Sequence, residues 1–299
     1  MAMFGDQLRQ VLRRLGRAPL FTIITLITLG VGVGANTVIF SVLEGVLLKP
    51  LPYPQPEQLI GVWHQAPGVG MPNLNMAPSI YFIDREQNTT FQDIGVYVGD
   101  SLSVTGTGEP EQVRGLDVTD GTLPMLGVKP ALGRLFTRED DSPGAPDTVL
   151  LSYGYWRQKF GGATSVIGKS ITVDGKSREI IGVLPQGFHF LDYDDLSLVV
   201  PFKWDRSKTK LGNFSYQAMA RLKPGVTMAQ ASADVARMLP IVNRSFPAPE
   251  GFSPKLFEQA RIAPNLRPLK QDVVGDIGKV LWVLMGSIAM IDKDLEVAS

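Results

Sequence analysis

Cysteine is absent from the 299 residues, and histidine occurs only twice, at His64 and His189. The first absence removes disulfides, thiolate nucleophiles and cysteine-based zinc or iron–sulfur sites together. The histidines have no acidic or serine partner at a recognisable spacing, so they suggest neither a zinc pair nor a serine triad and read as ordinary surface or strand residues. Net charge is missing too, with 29 basic residues against 29 acidic ones. Because binding a phosphate backbone takes a basic stripe, no nucleic-acid partner is expected. Residues 163–170 match a relaxed phosphate-loop pattern with Ala163 in place of the first glycine. The expected order there is helix, turn and strand pair, whereas a phosphate loop leaves a strand and opens a helix. Asp192, Asp194 and Asp195 lack the further ligands and the bidentate glutamate of a calcium loop. No catalytic residue, cofactor site or metal site is expected, and the chain does not read as an enzyme.

What the chain has is one long uncharged run, residues 20–43, directly after Arg9, Arg13, Arg14 and Arg17. At about 1.5 Å per residue it makes roughly 36 Å of helix, enough for a hydrocarbon core of about 30 Å with some tilt. A transmembrane helix is therefore expected over residues 20–48. A secretory signal is the alternative, but its apolar region covers only about 7–15 residues and ends in a small-residue cleavage site. The four arginines keep the N-terminus cytoplasmic and send everything after Lys49 outside. Phe4, Leu8, Val11, Leu12 and Leu15 recur at helical spacing among them, so residues 1–19 read as a basic amphipathic helix. Its arginines would meet lipid headgroups at the inner face or a cytoplasmic partner. Gly30 and Gly34 form a small-xxx-small pair through which a second membrane helix can pack closely.

Pro50, Pro52, Pro54 and Pro56 cannot sit in one helix, so an extended connector and a first domain boundary follow the run. Beyond it, residues 79–87 suit a helix capped by Ser79, residues 113–118 and 148–151 suit short strands, and residues 152–160 suit a helix closed by Gly161 and Gly162. Asp174-Gly175 is a hairpin turn between two strands. Residues 214–222 alternate like a strand with one wet face. Thr227 and Gln230 make a capping box for the amphipathic helix that follows, whose end Pro240 should kink. Residues 280–291 are apolar for only about a dozen positions before Asp292, Lys293 and Asp294, against the roughly 20 that a span needs, and read as a second membrane helix cut short.

The order and spacing of several short motifs carry a resemblance. They are Gly34-Ala35-Asn36-Thr37, Leu51-Pro52-Tyr53, Leu126-Gly127-Val128, Leu132-Gly133-Arg134-Leu135-Phe136, Tyr155-Trp156-Arg157, Ile181-Gly182-Val183-Leu184-Pro185 and Ala220-Arg221-Leu222-Lys223-Pro224-Gly225. Together the chain resembles the FtsX-like permeases of ABC transporters, in the branch with a MacB-like periplasmic core domain. The resemblance implies an α+β fold: an N-terminal transmembrane helix, a two-lobed periplasmic domain over residues 49–275, and a truncated second transmembrane helix over 280–291. The membrane-proximal lobe would take about 50–100 and 205–275, the inserted lobe about 101–204. It also implies a permease subunit in the bacterial inner membrane. The partners would be a separate ABC ATPase subunit, a second permease protomer, a periplasmic adaptor and membrane lipid, and domain motion would serve export. The rival from another class is a single-pass anchored binding or scaffold domain without transport.

Overall fold

The computed structural model describes residues 19–43, 50–106, 108–193 and 195–275. In chain order its elements are α1 (Pro19–Leu43), β1 (Leu59–Ala66), β2 (Met71–Leu74), α2 (Pro78–Gln87), β3 (Phe91–Thr105), β4 (Glu111–Val118), α3 (Thr122–Met125), β5 (Leu132–Gly133), β6 (Thr148–Leu151), α4 (Tyr153–Phe160), β7 (Ser170–Val173), β8 (Lys176–Val183), β9 (Leu198–Pro201), β10 (Gln217–Leu222), α5 (Met228–Ser245), α6 (Pro254–Gln259), β11 (Ala263–Pro268) and α7 (Leu269–Val274).

Residues 1–50 with 274–299 form one unit and Leu51–Val273 another. In the first, α1 spans 25 residues without a charge, and Leu20, Leu29 and Val31 are well exposed along it. Eight of its side chains fall outside the described residues, and counted over the described residues alone no helix is long and apolar enough to cross a membrane. The basic helix expected over 1–19 and the second span expected over 280–291 lie outside the described residues, apart from Pro19 at the start of α1.

The second unit is a mixed α+β domain on one large sheet. β3, 15 residues long, is its axis. The first half of β3 pairs with β10, opposing Ile94 to Ala220, and extends the row β11-β1-β10-β3. The second half pairs with β4 and β7, opposing Leu102 to Val113 and Val104 to Val173. From there the pairings run β4 to β9, β9 to β6, β6 to β8 and β8 to β7, which returns to β3, so six strands close into a ring. Leu102, Val104, Val149, Leu151, Ile180 and Leu198 share the core that this ring helps to form. All four residues of β6 and of β9 are buried, as unbroken apolar runs require when both faces of a strand are covered. On the row β11-β1-β10-β3, α2 and α5 contribute to a core with Ile60, Val62, Ile94 and Ala220. Leu59, Tyr97 and Met219, at the alternate strand positions, belong to a separate central core with Leu116, Phe190 and Leu269.

Local chemistry explains the turns. Ser152 caps α4 by accepting from the Tyr155 N–H, and Gly161 ends the helix at φ 62°. Asp174 and Gly175, at φ 50° and 74°, make the hairpin turn between β7 and β8. Thr227 and Gln230 form the reciprocal capping box of α5.

Two expectations need correction. Ser79 is not the cap of α2: Pro78 occupies the first turn after Ala77, and Ser79 is buried. β10 begins at Gln217 and is buried on both faces, since a period of two cannot reveal a second core beneath the polar positions. α5 itself runs through Pro240 to Ser245, with buried Val242 and Phe246 holding its last turn in the core despite the lost hydrogen bond. His64 is a strand residue, one of the two settings expected for it: it is fully buried on β1, and the absence of water pushes its pKa down to about 4.

Asp84, on α2, is also fully buried with no partner for either carboxylate oxygen among the described residues, and burial holds its pKa well above the usual carboxylate range. Asp234 on α5 adds to that rise and is itself kept ionised by Thr89 and Arg237. A raised folded pKa means that the folded state holds the extra proton. Asp84 therefore lowers stability progressively as pH climbs from the unfolded value toward its folded one. Asp84→Asn is expected to raise the melting temperature at pH 8 and to match the parent near pH 4, with about 2–4 °C for each kcal/mol in a domain of this size. Thermal melts at both pH values check this, and an equal shift at both would sink the assignment.

Candidate functional site

The chain joins this domain at two places, a proline-rich incoming connector before β1 and the outgoing helix α7 after β11, and buried polar groups grip each of them. Arg221 lies on β10 directly opposite Leu59 of β1. It is 6% exposed and has no carboxylate partner among its described contacts. Its Nε donates to the Met125 carbonyl at 3.0 Å, and its two terminal nitrogens donate to the carbonyls of Gln55 at 3.2 Å and Pro54 at 2.8 Å. One planar fork thus ties the incoming connector to the end of α3. Burial lowers the guanidinium pKa, with Glu57 pulling the other way. Gly127 follows α3 at φ 73°, and a Cβ there would come 2.8 Å from Pro54 Cγ, so both backbone and space require glycine under the connector.

Two residues upstream of Pro54's neighbour Gln55, Tyr53 is buried in the central core. Its hydroxyl donates to the His189 carbonyl and accepts from the Leu191 N–H, each at 2.9 Å. The loop that it holds carries Phe190 and Tyr193, whose rings pack edge-on against Tyr97 of β3. Removal from water raises the Tyr53 pKa, so the hydroxyl stays a donor. The same connector is therefore bonded to a loop between two strands of the ring and, through Arg221, to the four-strand row.

On the outgoing side, Leu269 anchors α7 in the central core, and Asp272 sits one turn further on. Trp63 Nε1 donates to Asp272 Oδ2 at 2.7 Å, Arg267 forms an ion pair with Oδ1, and the Arg267 guanidinium lies 4.2 Å over the Trp63 ring. Burial raises the Asp272 pKa, and Trp63 and Arg267 oppose that rise. Gly61 makes the contact possible, because a Cβ at that position would lie 1.7 Å from Asp272 Oδ2. Gly61 and Arg267 are themselves register partners across β1 and β11. This triad and the Arg221 fork are built on neighbouring strands at the same end of the sheet. They can pass force between the two connections and the domain; they hold no reacting atom.

Of the residues singled out in the sequence, Gly30 and Gly34 lie one turn apart on α1, and a Cβ at either would meet nothing within 4 Å. Arg9, Arg13, Arg14 and Arg17 lie outside the described residues. Residues 163–170 pass through one 3-10 turn (Thr164–Val166) into β7 rather than opening an α-helix. Asp194 lies outside the described residues, and among those described no group of three or more acidic or histidine side chains could hold a metal ion. Sequence reasoning missed Arg221, Trp63, Arg267 and Asp272. Arg221 belongs to the Ala220–Gly225 motif, but its alternation with apolar neighbours predicts a wet-face residue.

The profile of the MacB-like periplasmic core domain matches residues 22–238, more than half of the chain. No curated protein sequence matches. Among solved structures, the periplasmic region of MacB from Actinobacillus actinomycetemcomitans aligns at 13% identity and a TM-score of 0.49, covering 72% of this chain and 92% of that one. A domain described as part of a permease protein from Porphyromonas gingivalis aligns at 18% identity and 0.48, with the same coverage. The extracellular domain of the ABC-type transporter YknZ from Gram-positive bacteria aligns at 17% and 0.43, covering 62% and 93%.

Proposed function

Because the chain belongs to the family of MacB-like periplasmic core domains, we propose that it is a permease subunit of an ABC transporter, in which a separate cytoplasmic ATPase drives motion of the extracytoplasmic domain for export. The observation that carries this reading is the double grip: Arg221 on the incoming connector and Asp272 on the outgoing helix, at one end of one sheet. A domain that merely hung from its anchor would need neither. In this reading α1 is the first span of the bacterial inner membrane, with Arg9, Arg13, Arg14 and Arg17 on the cytoplasmic side against lipid or the ATPase. Gly30 and Gly34 admit a neighbouring membrane helix, and residues 280–291 begin the second span. The domain divides in this reading into a membrane-proximal lobe (about 50–100 and 205–275) and an inserted lobe (about 101–204), a division supported by the two cores that flank the central one. A second protomer and a periplasmic adaptor complete the assembly.

The test exploits the missing cysteines. Glu109→Cys, an exposed residue just before β4, should react with a membrane-impermeant maleimide in intact spheroplasts, and the full chain should co-purify with a coexpressed ABC ATPase subunit. Labelling only after permeabilisation, or failure to retain the ATPase, would count against the reading.

A further inference from the structure

Between α2, the second half of α5 and α6 the domain holds an open cavity of about 260 Å³. Buried Leu211, Leu239 and Val242, which belong to the core over the four-strand row, line its inner side. Phe214 and Phe257 are half-buried walls, and the Phe257 ring lies against Gly212, where φ is 94° and a Cβ would come 3.6 Å from the ring. Backbone bonds hold these walls. The Leu211 N–H donates to the Pro247 carbonyl at 2.9 Å, just past α5, and the Arg261 N–H donates to the Glu258 carbonyl at 3.2 Å, where Arg261 turns the chain out of α6 at φ 50°.

One polar side chain interrupts the apolar lining on the inner side. Ser79 is 1% exposed, and its hydroxyl has no hydrogen-bond partner among the described residues. It is not used as a helix cap either, because Ala77 stands at that position of α2. A buried hydroxyl left without a partner is costly, and here it borders a space that a ligand can enter. A second acceptor stands at the mouth. Pro240 has no N–H, so the Ala236 carbonyl one turn earlier lacks the donor that an unbroken helix supplies, and both residues line the cavity. The charged lining residues, Glu258 and Arg261, are both exposed. None among the described residues lines the inner side, so an ion placed there would be buried without a counter-charge.

We propose that this cavity binds a small uncharged amphipathic molecule, with a flat apolar body between Leu239, Val242, Phe214 and Phe257 and one hydroxyl or carbonyl bonded to Ser79 Oγ. The hydroxyl both donates and accepts, so an alcohol, a phenol or an amide carbonyl satisfies it. The space equals the share of about nine waters at roughly 30 Å³ each, room for a bicyclic aromatic, and the two phenylalanine rings suit such a body. The inference goes beyond the permease reading and does not depend on it.

The test uses 1-naphthol, with naphthalene as its counterpart lacking the hydroxyl, on the purified full chain in nanodiscs. Asn243→Cys puts a single thiol in the lining of a chain that has no cysteine. 1-Naphthol should slow maleimide labelling of this thiol and leave Glu109→Cys unaffected. Naphthalene should bind about fivefold to tenfold more weakly, the worth of one hydrogen bond. Ser79→Ala should bring 1-naphthol down to the naphthalene affinity and, having no internal bond to lose, should melt at or above the parent temperature without probe. Ala236→Trp, which fills the mouth from an exposed helix position, should abolish protection by both probes. Equal slowing at Glu109→Cys, equal affinity for the two probes, protection that survives Ala236→Trp, or a lower melting temperature for Ser79→Ala would each overturn the proposal. So would a thiol at position 243 already shielded before any probe is added, which would point to a protein segment as the occupant. Labelling is read with no ATPase present, so failure of the permease reading and failure of this site are distinguishable.

Discussion

Arg221→Ala is expected to destabilise the domain by about 3 kcal/mol, since a buried acceptor left without its donor costs about 1–3 kcal/mol and packing of the long stem is lost as well. The Pro54 and Gln55 carbonyls belong to exposed residues and can recover water; the Met125 carbonyl, behind a buried side chain, recovers it least. The melting temperature should fall by roughly 6–12 °C at about 2–4 °C per kcal/mol. Arg221→Lys should rescue only part of this, because one ammonium cannot reach three carbonyls arranged around a planar fork. Protease cleavage of the full chain near residues 54–58 should rise in step with the loss. An alanine variant that melts with the parent and keeps the connector protected would show that the fork does not hold it.

Gly61→Ala is the second large effect. The new Cβ would sit 1.7 Å from the Asp272 carboxylate, so Asp272 must withdraw and leave both the Trp63 indole and the Arg267 guanidinium. Breaking a largely buried, hydrogen-bonded charge pair costs about 3 kcal/mol. The indole then loses its acceptor, which a shift in tryptophan emission reports. Asp272→Ala should cause a similar loss, and the double variant should cost little more than either single change, because both act through one contact. Additive costs would mean that Gly61 and Asp272 act separately. If the permease reading holds, both variants should still bind the ATPase but uncouple its turnover from movement of the domain.

Much of the local structure was legible because its causes are local. Ser152 with Gly161, Asp174 with Gly175, and Thr227 with Gln230 each act over a few residues, and each stands where its chemistry demanded. The uncharged run of residues 20–43 was legible for the same reason, and it forms one continuous helix. Errors arose where packing decided. Arg221 alternates with apolar neighbours exactly as a solvent-facing residue would, and only the layer over that face shows that it points into carbonyls.

By itself, then, the amino-acid sequence determined the family, the uncharged helical run, the caps at Ser152 and Thr227 and the hairpin, all of which depend on short stretches or on their order along the chain. The tertiary structure decided the closing of the six-strand ring and the grip on the two connectors. The Arg221–Pro54 bond joins residues 167 apart and the Trp63–Asp272 bond residues 209 apart. No periodicity or propensity spans such a distance, so only the pairing of β1 with β10 and β11 brings those groups together.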